Sequence, residues 1–594
     1  MTTTTVSLKP DHKLLNPNFD GYKLSLDADV TVYTKNLQEG VEKKKNYSNC
    51  YLRTRLEALH NHFFGDPFHP LFVYYFNNRG HLVKCNYSED SKLNAGEVVW
   101  QADLSRSSED GSEEDGVSSG QYYASVHFPS ADLAVVTNGQ GSLHILETGD
   151  RTTTQSWLVS FESSTEKGVI AHTCLKEGTD HQRYIHCLLV SVTTPQSLIS
   201  NSEYVITDEK LEKTKASAVH LIHWLTITYN GATWDISRIR TIAGEGTLEY
   251  CSLDEMASGL LILCHKNYSF IADSLEPIKK TKLETHEKKE VAPKFTYMQN
   301  DEDVTVWINI GSAAKKDIRV KITPQELSVH VQDIEILQGL LKHPVHADTS
   351  TWILSDSKLE MTLPKASQGV NWQGLFESGD ACGEEVLDPE MVEEVNQRLA
   401  HLTSENWNPD PDPEKPVYNP GQLEACDEAS EDLLLIRLDG STHCLSNLGQ
   451  LGPTQHLFNA LVHGSSVPAF CIRHDVDGIL WQPNGEDKFT HTATYNAFGY
   501  VKASKTMAKF TCAAADISYV AVADVNSHIY VFFQPEAFGG ELRNRKSGKR
   551  MNTVARQMVI SLKTHAEILG LHASPSVLFV LTDSAIFAYC LRNP

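Results

Sequence analysis

The sequence predicts an all-β protein. It reads as a degenerate seven- or eight-bladed β-propeller, split by an inserted β-sandwich, with one short helix after the insert. Three observations point there. Paired apolar runs joined by short polar turns recur at roughly 40–70-residue spacing, as serial hairpins do. The runs are continuously apolar, as in strands covered on both faces. Residues 292–380 break from their surroundings in composition and strand pattern. Stacked four-stranded blades account for the first two observations, because each blade packs against two neighbours. One or two β-sandwiches would also give serial hairpins.

Taken in order, "YKLSLDADVTVYT" (22–34) is strand-like but has no partner nearby. It is expected to complete the last blade beside 576–591, leaving no open edge. Residues 71–87 ("LFVYYFNNRGHLVKCNY") and 132–147 ("DLAVVTNGQGSLHILE") read as hairpins. Asn138-Gly139 suits the positive φ of a tight turn. The runs 184–192 and 217–229 read as one hairpin with a long polar excursion. The hairpin form recurs at 258–272, 516–533 and 576–591, more loosely at 432–446 and 469–482. Apart from Gly80-His81, none carries the W-D or G-H marks of regular repeats, hence a degenerate ring. Its two parts are 1–275 and 421–594.

Three segments interrupt this pattern. Residues 103–120, "DLSRSSEDGSEEDGVSSG", are acidic and lack apolar periodicity, the composition of a disordered loop. Ser108 and Ser112 precede acidic residues, as acidophilic kinases such as casein kinase two prefer. They are candidate phosphorylation sites, and a plain solvated loop is the alternative. Residues 276–291 form a charged linker. In 381–420, Asp388-Pro389 can open a helix, with Met391, Val395, Leu399 and Leu402 at helical spacing. "NPDPDPEKPVYNP" ends it as an extended loop.

Composition narrows the function classes. Of 594 residues, 41% are hydrophobic, enough for real cores. The net charge of −24 disfavours direct binding to nucleic-acid backbones. The 12 cysteines include no C-x-x-C, so there is no zinc-knuckle signal. Cys187, Cys264 and Cys590 lie in strand runs and read as reduced, buried thiols of a cytosolic or nuclear protein. "MTTTTVSLKPDHKLL" lacks a signal peptide's apolar run, and no window reaches the ~18 apolar residues of a membrane helix.

Within 292–380 the expected strands are 303–310, 317–323, 326–333, 343–349, 351–356 and 358–365. Several alternate with period two, and short strands in this number suggest a small sandwich. Trp352 and Trp372 would pack in its core or seal its edge, each burying on the order of 200 Å².

The residues of this unit resemble the CS domain of the NudC family, the fold also found in the small acidic co-chaperone of heat-shock protein 90. "FTYMQNDEDVTVWINI", containing Tyr297 and Trp307, is similar to the family's opening aromatic segment and first long strand. "TSTWILSDSKLEMTL", with Trp352, mirrors its central strand pair, and "NWQGLF", with Trp372, its closing motif. Tyr297 stands where the family has Trp, and Gln373 where a second closing Trp is frequent. The resemblance continues outside the unit through "FDGYKLSL" (19–26), "RLAHLTSENWNPDPDPEKP" (398–416), "CIRHDVDGILWQP" (471–483), "TYNAFGYVKASK" (494–505) and "RNRKSG" (543–548). It implies a CS module inserted between two parts of a propeller. It also implies a non-enzymatic co-chaperone or adaptor, cytoplasmic and nuclear, without a cofactor. Implied partners are the heat-shock protein 90 system, a DEAH-box RNA helicase and dynein-linked assemblies.

Signatures of chemistry are few. The chain has no P-loop and no G-x-S-x-G nucleophile elbow. His474-Asp475 in "RHDVD" suggests a metal pair, but its setting reads as strand–turn–strand. His60, His62, Asp66 and His69 in "HNHFFGDPFH" suggest either a cluster or aromatic loop packing. The sharp charge feature is "RNRKSGKR". Arg543, Arg545, Lys546, Lys549 and Arg550 form a docking or nuclear-localisation patch, or a plain exposed loop. Two other functions stay open on the residues alone: a propeller substrate receptor of a ubiquitin ligase, and a propeller enzyme acting at the central channel.

Overall fold

Seven antiparallel sheets close a ring in the computed structural model. It describes residues 3–16, 19, 21–25, 30–42, 50–90, 92–101, 121–178, 182–206, 211, 214, 216–278, 295–310, 315–332, 334–355, 358–370, 372, 374–377, 383–386, 432–505, 507–525, 528–543, 550–562 and 566–591. The chain divides into two compact units, 1–282 with 402–594 and 283–401.

In the first unit each sheet runs from an inner strand to an outer edge. Blade 1 holds Phe64–Gly65, Phe72–Phe76, His81–Ser88 and Lys92–Gln101. Blade 2 holds Ser125–His127, Leu133–Thr137, Ser142–Glu147 and Leu158–Ser164. Blade 3 holds Val169–Glu177, Arg183–Thr193, Val219–Tyr229 and Trp234–Gly244, with Tyr268–Asp273 added at its edge. Blade 4 joins Leu248–Leu253 and Gly259–Cys264 to Leu434–Asp439 and Leu445–Gln450. Blade 5 is His456–Ala460, Ala469–His474, Asp477–Pro483 and Phe489–Tyr495. Blade 6 is Ala508–Ala513, Tyr519–Asp524, His528–Phe533 and Arg556–Ser561. Blade 7 is Ile568–Ala573, Val577–Thr582 and Ala585–Cys590, closed by Thr31–Asn36 from the N-terminal region.

The apolar runs are buried on both faces because a separate core fills each blade junction. Tyr74 and Val136 belong to the core between blades 1 and 2, Ile145 and Leu189 to that between 2 and 3, and Ile222 and Ile262 to that between 3 and 4. Leu263 shares a core with Ile479, Val531 with Val580, and Phe579 with Val73 at three further junctions. Between blades 5 and 6 the packing is aromatic, Phe458 and Phe532 both meeting Phe498 edge-on. Every residue of Val577–Thr582 is buried. The Asn138-Gly139 turn needs its glycine: φ is +70°, and a Cβ would fall 2.1 Å from the Tyr122 carbonyl oxygen.

Among the described residues three short α-helices decorate the ring. α1 is Tyr51–Ala58, before blade 1. α2, Pro195–Ser200, lies in the polar excursion of blade 3, where Thr194 caps it and Pro195 opens it. α3, Phe498–Ala503, joins blades 5 and 6.

Ring closure occurs as expected over Thr31–Asn36, which pairs antiparallel with Ala585–Cys590. The earlier part of that segment goes elsewhere: Lys23–Ser25 runs parallel to Arg556–Ser561 on blade 6. Thr4–Thr5 edges blade 4 in the same way. One expected hairpin is not a hairpin. Within 258–272, Gly259–Cys264 pairs with Leu434–Asp439, whereas Tyr268–Asp273 pairs with the outer strand of blade 3. Adjacent runs separate because the third strand of blade 4 arrives after the insert. Cys187 and Cys264 are buried as expected, but Cys590 is only half-buried and donates to Tyr87 Oη at 3.3 Å.

The second unit is a sandwich. Phe295–Gln299, Asp303–Asn309, Lys358–Pro364 and Thr351–Ser355 form one sheet, with Gly383–Glu385 parallel to Phe295–Gln299 at its edge. Ile318–Ile322, Glu326–Val331 and Ile334–Leu340 form the other. Val304, Val306 and Ile308 alternate inward against Leu327, Val329 and Met361. Residues 343–349 were expected as a strand but turn instead, only Val345 making a bridge, to Lys365. This polar stretch reverses the chain before Thr351, while Ile334–Leu340 supplies the strand in its place. The acidic stretch 103–120, most of the linker 276–291, and the expected helix and proline-rich loop of 387–420 lie outside the described residues.

Candidate protein-binding sites

The inner strands of the seven blades surround a cavity of about 1420 Å³. Helices α1 and α3 both lead into inner strands. Because strands alternate in direction, both helices stand at the same mouth. Arg55 and Leu56 of α1, Leu59 just after it, and Lys502 of α3 line it.

The fixed charges on this wall are Arg55, Glu249, Lys502 and Lys509. Arg55 Nη2 donates to both oxygens of Glu249, at 2.9 and 2.8 Å. His456 Nδ1 lies 3.5 Å from the same carboxylate. Burial works to raise the Glu249 pKa, but His456 and Arg55 outweigh it and hold the carboxyl well below its usual range. Lys509 Nζ pairs with Glu567 Oε1 at 2.9 Å. Lys502 is different. Its Nζ donates to the Leu457 carbonyl oxygen. Among the described residues no carboxylate lies within ion-pair distance of it. Burial pushes this amine down to about 8, against the pull of Cys471 and Glu249. Histidines fill much of the remaining wall. Burial lowers His172 and His572 to about 4, so both are neutral at pH 7.

The four groups of "HNHFFGDPFH" do not converge. His60 and His62 meet edge-on at 4.8 Å and pack on Tyr123. Asp66 forms a buried pair with Arg151 and accepts from His69 at 3.2 Å. His474 ends a strand and Asp475 turns the chain with φ +53°.

The two ends of the basic run, Arg543 and Arg550, lie on paired strands. Glu536–Arg543 pairs with Arg550–Val554, with Arg543 opposite Arg550. The hairpin leaves blade 6 between its third and fourth strands. Arg543 is exposed, whereas Arg545, Lys546 and Lys549 lie outside the described residues, as do Ser108 and Ser112.

In the sandwich, Tyr297 is buried and its Oη donates to Glu385 Oε2 at 3.3 Å. Trp372 is 1% exposed. Gln299 fixes it by exchanging two 2.8 Å hydrogen bonds with its backbone. Buried Lys365 joins them, donating to Gln299 Oε1 at 3.1 Å and to two carbonyls. Trp352 is half-buried at the rim of the core, with Lys315 Nζ 5.1 Å over its ring. Trp307 faces outward. The register places Ile353, Glu360, Trp307 and Thr296 side by side across four strands. Ile353 is 53% exposed there, so this sheet face presents apolar surface to solvent.

A family model for the CS domain matches residues 293–365. NudC domain-containing protein 1 of Mus musculus is 30% identical over 601 residues, covering 99% of both chains. The chain belongs to the NudC domain-containing protein 1 family. The Xenopus laevis member is 30% identical over 600 residues, covering 99% of this chain and 98% of its own. Among solved structures, Sqt1 of Chaetomium thermophilum bound to the N-terminus of ribosomal protein L10 is 8% identical. It covers 92% of this chain and 100% of its own, with a TM-score of 0.32.

Charge counting on the sequence found the basic hairpin and missed the channel mouth. Lys502 reads as an ordinary surface lysine of a short helix, and Arg55 and Glu249 are 194 positions apart. The one available signal was "TYNAFGYVKASK", an unusual stretch with no assigned role, which turns out to contain α3.

Proposed function

We propose that the protein is a non-catalytic co-chaperone or adaptor that holds one protein partner on its ring and recruits the heat-shock protein 90 system through its CS sandwich. The observation that carries this reading is the sandwich itself. It has its own closed core, yet it interrupts blade 4 of a ring that closes without it. Two separately folded surfaces on one chain suit the joining of two proteins. A DEAH-box RNA helicase is the leading partner for the ring, with dynein-linked assemblies next. The protein works in cytoplasm and nucleus, and the exposed hairpin at Arg543 serves docking or nuclear import.

The test compares partners recovered from cells by the full chain and by a form with residues 292–378 replaced by a Gly/Ser linker. Heat-shock protein 90 should be lost and the helicase kept. Retention of both would remove the CS sandwich from recruitment. Loss of both with an unchanged ring melt would mean a surface shared by the two units. Serine substitutions at Arg543 and Arg550 should lower the nuclear fraction of a fluorescent fusion, and an unchanged distribution would remove the import role.

A further inference from the structure

We propose that the channel mouth between α1 and α3 binds a peptide segment of the ring's partner, pairing Lys502 with a carboxylate set among apolar side chains. This deepens the adaptor reading and depends on it.

The first argument is charge. In a chain of net charge −24, this mouth carries three lysine or arginine residues and one carboxylate. Glu249 satisfies Arg55, and Glu567 satisfies Lys509. Lys502 alone has no anionic partner among the described residues, and one carbonyl leaves two of its three N–H donors unused. A lysine in such a place is costly unless an anion arrives. A single uncompensated cation suits one carboxylate better than a phosphate carrying two charges. The neighbouring wall is apolar, with Leu56, Leu59, Leu457 and Phe510 on it. The cavity of about 1420 Å³ exceeds what one amino-acid side chain fills, so a stretch of chain is the fitting occupant.

The second argument is the structure spent on α3. Ala497 enters the helix at φ +53°, a conformation rare for a side-chain-bearing residue, and its N–H is held by Asp477 Oδ1 at 2.5 Å. A Cβ on Gly499 would fall 2.8 Å from Arg473 Cγ and 3.0 Å from the Asp477 carbonyl oxygen. Tyr22 Oη donates to the Asn496 carbonyl oxygen at 2.7 Å in a buried site. Residues from three distant parts of the chain, Tyr22, Asp477 and Asn496, thus converge on one turn of helix. A connection between blades needs no such support; a lysine held at a fixed point does.

The test pans a phage-displayed library of random twelve-residue peptides against the full chain. The bait carries serine at 543, 545, 546, 549 and 550, so the basic hairpin does not compete. Recovered peptides are then titrated by fluorescence anisotropy. Enriched peptides should carry Asp or Glu beside Leu or Phe. Lys502→Gln should weaken them about tenfold or more, the worth of one charge-assisted hydrogen bond, and Lys502→Arg should restore most of the loss. Replacing the peptide's acid by its amide should cost the same, and the two losses should not add. This peptide arm holds even if a Lys502 variant melts early. No acid-bearing peptide enriched, or equal affinity with and without Lys502, overturns the proposal. If the channel fails this test while the pull-down still returns a ring partner, the adaptor reading survives and only the channel is wrong.

Discussion

Replacing Arg151 by methionine should destabilise the ring by about 3–5 kcal/mol, the usual cost of removing one partner of a buried ion pair. Arg151 and Asp66 both have side chains 0% exposed. Arg151 Nη1 bonds both Asp66 oxygens at 3.0 and 3.1 Å. Nη2 donates to the carbonyls of Ser130 and Leu133, Nε to Thr148 Oγ1, and the guanidinium sits 4.4 Å over Phe128. Methionine fills similar volume and removes every one of these bonds. Asp66 would keep the backbone N–H groups of Phe68 and His69 and the His69 ring. One carboxylate charge would then stand buried without its guanidinium. The loss should therefore shrink in the double variant Arg151→Met/Asp66→Asn, to about 1–2 kcal/mol, since a neutral amide carries no charge to desolvate. Urea unfolding of the single and double variants at pH 7 measures both losses. A single variant within about 1 kcal/mol of the parent, or a double variant worse than the single, would refute the charge argument.

In the sandwich, Trp372→Ala should cost about 3–5 kcal/mol, and half-buried Trp352→Ala only about 1–2, read as separate shifts of the CS transition by calorimetry; equal losses would mean that burial does not set the difference. Stability should fall as pH drops below about 6.5: His172, His220 and His223 are held near 4 by burial, so the unfolded chain binds more protons, at roughly 1.4 kcal/mol per pH unit for each. A melting temperature unchanged between pH 7 and pH 5 would contradict this. Replacing Thr31–Asn36 by Gly/Ser should open the edge of Ala585–Cys590 and promote self-association, visible by light scattering; a monodisperse variant with an unchanged melt would show that this strand is dispensable.

Much of the ring was readable because a hairpin is a local object. Asn138-Gly139 between two apolar runs announces both strands and their register. Pairing between distant strands leaves no such mark. Gly259–Cys264 and Tyr268–Asp273 look like a hairpin since only a short polar turn separates them, and their true partners are chosen by packing. In the sandwich, "HPVHADT" has strand-like spacing but too few apolar side chains to hold a sheet face, whereas Ile334–Leu340 forms a strand with both end residues exposed and no clean period-two alternation to mark it. Trp372 was legible from its motif, and its lock through Gln299 and Lys365 was not, since those hydrogen bonds join segments over 60 residues apart. Lys502 shows the limit most plainly: one lysine in a helical stretch has no sequence mark of burial, and only ring closure turns it toward a cavity.

Blade 4 takes two strands from residues 248–264 and two from 434–450, and blade 7 takes its edge from residues 31–36. During synthesis this gives the chain an order of events. The sandwich pairs strands within about a hundred residues and can fold as soon as it leaves the ribosome. The ring cannot close until its last strand, ending at Cys590, has been made. Blade 4 is half a sheet until residues 434–450 arrive, and the strand at Thr31–Asn36 has no partner until residues 585–590 are made. From the completion of the sandwich until the chain reaches Cys590, the protein is therefore a folded CS sandwich attached to an open array of blades whose bare strand edges need protection from other chains.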